Sequence, residues 1–171
     1  MSIKDKKYCL DTSGLSNPLA SMPEDIHVTL WSKIEILIAS RKFAVTKEIY
    51  DELLYLPGSV GACIKENCSA MQLEVGEDSW DWMGYIGHVN RLREIYKARI
   101  SEYNNNKKNT VGLNDVSIVA LALTLKLPVI SMESKSFQTN DSKIRIPGLC
   151  QLEGLKHLDF NEFLRAEGIK G

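Results

Sequence analysis

The run VGLNDVSIVALALTLKLPVISME, residues 111–133, restricts the folds open to this chain more than any other stretch. From Asn114 or Asp115 to Leu125 apolar residues occupy nearly every face of the predicted helix, which is too hydrophobic to lie on an open surface. Leu127 to Met132 then reads as a buried strand. A short helix-to-strand connection of this kind is what a parallel sheet with helices on both faces requires, so the fold class is α/β.

The remaining elements fit that frame. Lys7 to Leu10 is a short strand, followed by a loop punctuated by Ser16-Asn17-Pro18 and Met22-Pro23. An amphipathic helix starting at Asp25 or His27 and ending at Ala39 carries Leu30, Trp31, Ile34, Leu37 and Ile38. Lys42 to Val45 is a second strand, and Thr46 is the N-cap of a helix running to Leu56. The segment from about 59 to 108 is a helical excursion, with a short helix at Ala62–Met71 and a longer one from Asp78 to Tyr103. Asn104 to Thr110 is an exposed connector. Ile144–Ile146 and Leu155–Leu158 are further strand candidates, and Asp159 begins a terminal helix with Phe160, Phe163 and Leu164.

A chain of 171 residues, 44% hydrophobic, supports one domain with a sizeable core. With 21 basic and 22 acidic residues there is no global positive field to attract nucleic acid, so a polyanion partner needs a local basic patch. The first ten residues form neither a signal peptide nor a membrane span, which points to a cytoplasmic protein with no membrane partner. Cys9 and Cys150 lie in apolar runs as buried thiols, and Cys63, Cys68 and His88 match no strong zinc spacing.

Four acids stand where the chemistry of such a fold is built: Asp11 after the first strand, Glu48 in the first turn of a helix, Asp115 at the start of the apolar helix, and Glu133 after the next strand. In an open parallel sheet, strands end and helices begin on the C-terminal edge, where ligands bind. Each acid also has a structural explanation, as an Asx-turn, a helix-terminus charge or a loop acid. Together, four carboxylates on one rim repel one another unless cations intervene. An oxygen-only donor set suits Mg²⁺ or Mn²⁺. Such ions acidify water and neutralise phosphate charge, which fits phosphodiester hydrolysis. Thr12, Ser13 and Asn114 are placed to support the acids by hydrogen bonding. The helix starts at Glu48 and Asp115 add positive potential for an anionic substrate. Lys47, Lys135, Lys143 and Arg145 are the basic candidates for substrate contact near the rim.

The stretches DTSGL at 11–15, TKEIYDEL at 46–53, LNDVSIVALAL at 113–123 and VISMES at 129–134 resemble the acidic signatures of PIN-like domains. The chain is similar in particular to a group whose last acidic motif runs into an Ile-Pro-x-x-Cys segment, here Ile146 to Cys150. The resemblance implies a single three-layer α/β/α, Rossmann-like domain with a central, mainly parallel sheet. It implies a Mg²⁺- or Mn²⁺-dependent endoribonuclease, often a toxin held by an antitoxin protein, with a homodimer as the family expectation. Asp11, Glu48, Asp115 and Glu133 would be the catalytic, metal-ligating acids. The fourth is usually aspartate and is often followed by another acid and a phenylalanine; here Lys135 and Ser136 precede Phe137.

Two further readings stand beside this one. A catalytically weak or inactive PIN-like module, binding protein or nucleic acid, is consistent with the Glu133 surroundings and the near-neutral charge. A phosphatase with Asp11 as nucleophile needs an acid two residues on, where Ser13 stands.

Overall fold

The computed structural model describes residues 3–135 and 143–170. Phe137 and its flanking segment lie outside the described residues. Four short strands, β1 (Tyr8–Leu10), β2 (Phe43–Ala44), β3 (Val129–Ile130) and β4 (His157–Leu158), form one sheet in the order β2-β1-β3-β4. Every pairing is parallel, with Cys9 opposite both Ala44 and Val129, and Ile130 opposite Leu158. All four strands therefore end on the same edge. The chain moves to one side of β1 to form β2 and to the other to form β3, which places the topological switch point between β1 and β3.

The helices are α1 (Ser13–Ser21), α2 (Val28–Ala39), α3 (Lys47–Leu53), α4 (Gly58–Glu66), α5 (Cys68–Met71), α6 (Trp82–Ile95), α7 (Leu113–Leu125), α8 (Ile146–Leu152) and α9 (Phe160–Ala166). Among the described residues, none is long and apolar enough to cross a membrane. Helix α7 packs on β1 and β3, with α6 and α8 against it, and every residue from Val116 to Ala122 is buried. Its hydrophobic girth is accounted for by this position between sheet and outer helices. The α9 aromatics cover Tyr8 and Phe43: Phe163 meets Tyr8 edge-on at 5.2 Å and Phe43 at 5.7 Å, while Phe160 stacks with Trp31 of α2 at 5.7 Å. Helices thus flank a parallel sheet in an α/β/α arrangement.

Two expectations are corrected. Ser16-Asn17-Pro18 lies within α1 and not in a loop. Leu15 and Pro18 are buried, and tertiary packing of these residues outweighs the weak helix preference of the sequence. Ile146 opens α8 and no strand, with Pro147 in the first turn, where the missing N–H costs no helical hydrogen bond. The excursion divides into α4, α5 and α6, followed by two 3₁₀ turns at Lys97–Arg99 and Ser101–Tyr103. The connector after it is partly buried, at Asn104 and Thr110.

Phe163→Ala should cost about 3–5 kcal/mol of stability, the usual toll for deleting a buried aromatic ring, read by urea denaturation. A loss below about 1 kcal/mol would mean that α9 does not seal the sheet.

Candidate active site

The switch point brings together the ends of β1 and β3 and the start of α7. The parallel ladder continues one residue past β1, where the Asp11 N–H donates to the Ile130 carbonyl at 2.9 Å. The chain then turns at once into α1. Gly14 makes this turn possible, because a Cβ there would meet Leu10 and Ile130 side-chain atoms at 3.0 Å and the Ile130 carbonyl at 3.1 Å.

Asp11 is only 5% exposed. Its Oδ2 accepts from the Ser13 N–H at 3.0 Å and from Ser13 Oγ at 2.5 Å. The same Oγ accepts the Met132 N–H at 3.0 Å, so one hydroxyl ties the end of β1 to the segment after β3. Asp115 lies in the first turn of α7, its Oδ2 accepting the Gly112 N–H at 2.8 Å. Glu133 is half-buried; Oε2 accepts the Ile146 N–H at 2.8 Å and Oε1 lies 3.6 Å from the Arg145 guanidinium.

These three acids act on one another. Burial, together with the charges of Glu133 and Glu52, pushes the Asp11 carboxyl up to about 6 against the pull of the Ser13 hydrogen bonds. Burial followed by the Glu133 and Asp11 charges pushes Asp115 up to about 7, opposed by the Gly112 N–H and by Arg145. Asp11, Asp115 and Glu133 therefore share one electrostatic neighbourhood, as the sequence reading expects.

A further acid, one the sequence pattern does not single out, lies beside them. Glu52, one turn after Glu48 on α3, accepts from Thr12 Oγ1 at 2.6 Å through Oε2 and from Asn114 Nδ2 at 2.6 Å through Oε1. It is thereby clamped between the residue after Asp11 and the residue before Asp115. Glu48 is exposed and faces a separate cavity beside Trp80 and Tyr85. The available signal was the Glu48/Glu52 spacing, which puts both on neighbouring positions of one helical face. Thr46 caps α3, accepting the Ile49 N–H at 3.4 Å, and also meets Ser117 Oγ of α7 at 3.0 Å, which fixes α3 against α7.

Of the basic candidates, Lys47 pairs with Asp51 at 2.7 Å on the surface of α3. Lys135 bridges Asp159 at 3.2 Å and Glu162 at 2.8 Å. Lys143 is exposed, and Arg145 pairs with Glu133 at 3.6 Å.

The donor set is all carboxylate, which suits a hard divalent cation and not zinc. Among the described residues, no group of three His, Cys, Asp or Glu side chains is drawn tightly enough to hold a metal ion as it stands. The carboxylates are instead held by Ser13, Gly112, Thr12, Asn114, Arg145 and the Ile146 N–H. Closing around a cation would require rotation of one or more of them, with Glu52 and Glu133 longer in reach than the two aspartates.

Residues 8–171 match the family described as "Domain of unknown function (DUF4411)". The chain belongs to that family. The match begins at β1 and so takes in every element of the acidic site. No curated protein matches. Among solved structures, this DUF4411 member is similar to "Crystal structure of PAE2754 from Pyrobaculum aerophilum", with 14% identity, a TM-score of 0.46, and coverage of 97% of this chain and 92% of that one.

The raised carboxyls make stability depend on pH. An acid whose folded pKa exceeds its unfolded value favours folding when protonated. That contribution is full below about pH 4 and is lost as the pH rises through about 6 for Asp11 and about 7 for Asp115. With EDTA present, Asp11→Asn should therefore stabilise the protein at pH 8 by on the order of 1–3 kcal/mol, with the gain vanishing near pH 4. Denaturant melts at both pH values check this; a loss of stability at pH 8 would contradict the assigned burial of charge.

Proposed function

We propose that the chain is a PIN-like, Mg²⁺- or Mn²⁺-dependent endoribonuclease whose active site comprises Asp11, Glu52, Asp115 and Glu133. The observation that carries this reading is the gathering of Asp11, Asp115 and Glu133 at the switch point of a parallel sheet, where burial and then the Glu133 charge raise both aspartates. Buried, mutually repelling carboxylates cost stability when charged, and a site that keeps them is one whose use requires that charge.

A hard cation bound there supplies acidified water and positive charge for a phosphate. The protein's own residues hold and orient its donors. Ser13 fixes the Asp11 carboxylate in place, and Thr12 with Asn114 fixes Glu52, so neither acid must give up rotameric freedom at the moment of use. The N-terminus of α7 adds the positive end of a 13-residue helix beside Asp115. Arg145 adds a guanidinium that can pair with a phosphate oxygen when Glu133 turns to another partner. Water as the nucleophile is consistent with a rim that offers carboxylates and no activated serine or cysteine.

A second reading has its own support. Glu133 is already satisfied by Arg145 and the Ile146 N–H, which is the arrangement expected of a weakly active or inert PIN-like binding module. Calorimetric titration with Mn²⁺ separates the two: binding by wild type and its loss in Asp11→Asn count against an inert site.

Purified protein with Mn²⁺ or Mg²⁺ should cut a set of varied RNAs, and Asp115→Asn should reduce cutting by at least about 100-fold without loss of fold. Intact RNAs together with no ion binding would end the proposal. Glu52→Gln should lower the rate by about 10- to 100-fold, and Glu48→Gln by less than about tenfold; the reverse order would return Glu48 to the metal site.

A further inference from the structure

Backbone pairing builds one side of the cavity that receives Glu48, and the turn-rich segment 73–81 supplies another. Residues after α5 run parallel to the end of β2: the Val45 N–H donates to Met71 at 3.0 Å and the Leu73 N–H to Val45 at 3.1 Å. This strip, the start of α3 and the start of α6 enclose about 360 Å³, lined by Thr46, Glu48, Gln72, Glu74, Trp80 and Tyr85 among others. That is the size of a small-ligand site, ample for one nucleobase and too small for folded RNA.

Its walls are rigid. Trp80 and Tyr85 pack with ring centroids 5.4 Å apart, and the indole N–H of Trp80 donates to the Glu74 carbonyl at 2.8 Å. Asp81 caps α6 through the Gly84 N–H at 2.9 Å, which fixes the Trp80–Tyr85 pair against the helix start. The lining carries two carboxylates beside the hydroxyls of Thr46 and Tyr85. Glu48 and Glu74 bring carboxylates and Gln72 an amide, while Lys47 at the rim is paired with Asp51. An anion is disfavoured here; a flat, neutral ring that donates hydrogen bonds fits both the aromatic wall and the acidic rim.

The cavity is wired to the acidic site. Thr46 meets Ser117, Ser117 Oγ donates to the Asn114 carbonyl at 2.7 Å, and the Asn114 side chain clamps Glu52. Glu48 lies about 6 Å from Glu52 along the axis of α3, at 1.5 Å per residue, which is within the reach of a single nucleotide.

We infer that this cavity is a base-recognition subsite that takes an amino-bearing nucleobase of the substrate strand in preference to uracil. Adenine, cytosine and guanine each carry an exocyclic amino group that a carboxylate accepts, whereas uracil carries none and sets a carbonyl at the position of the cytosine amino group. The inference rests on the ribonuclease reading for its place in the reaction, but nucleoside binding tests it separately.

The experiment is a titration of the full, ¹⁵N-labelled chain in EDTA with adenosine, cytidine and uridine, following the Trp80 indole N–H. Adenosine and cytidine should shift that resonance at concentrations at least about tenfold lower than uridine, the worth of one charge-assisted hydrogen bond. Glu74→Gln, an exposed change, should erase most of that preference. No shift at Trp80, or equal shifts with uridine, would overturn the subsite. Cutting of Mn²⁺-supplemented oligonucleotides that differ at one position reports the other half. Base-selective binding with no cutting would sink the hydrolytic reading and leave the subsite standing. Cutting without base preference and without a Trp80 shift would do the opposite.

Discussion

Repulsion among buried carboxylates at the end of β1 is the constraint around which the site is arranged. Asp11 is almost wholly removed from water; burial raises both aspartate carboxyls, and the Glu133 charge adds to each, the Glu52 charge to Asp11 and the Asp11 charge to Asp115. The surrounding hydrogen bonds pull the other way, with Ser13 holding Asp11 and the Gly112 N–H holding Asp115. The outcome is a pair of acids poised near neutrality, able to be charged by a proton's departure or by the arrival of a cation.

The fold supports this arrangement at small expense in chain length. Strands of two or three residues suffice because all pairings are parallel and every strand ends on one edge. Helix α7 does most of the positioning. Its buried middle anchors it on β1 and β3, and its first turn delivers Asn114 and Asp115 to the switch point. Lys126 ends it in a left-handed conformation, φ 57°, which sends the chain back into β3. The aromatic contacts of α9 cover Tyr8 and Phe43 of the sheet.

Asp11, Asp115 and Glu133 were legible in the sequence because each sits at a strand end or helix start, where chain order alone fixes which edge of a parallel sheet it occupies. Glu52 was not. Glu48 and Glu52 share a face of α3, and only the contacts with Thr12 and Asn114, which come from distant segments, decide which of them joins the acids. The same limit explains α1, whose Ser-Asn-Pro run has the local chemistry of a loop and is held helical by burial of Leu15 and Pro18. The cavity beside Trp80 depends on a non-local pairing of Val45 with Gln72 that no periodicity announces. Lys47 and Lys135 read as free cations in the sequence, but nearby acids on α3 and α9 neutralise them.

In the proposed function Asp11, Glu52, Asp115 and Glu133 serve one hard cation. Anomalous diffraction from crystals soaked in Mn²⁺ tests it most directly. A manganese peak is expected within coordination distance, about 2.0–2.3 Å, of carboxylate oxygens from Asp11 and at least one of the other three. A well-ordered site without such a peak at saturating Mn²⁺, or a peak bound elsewhere on the surface, would contradict it.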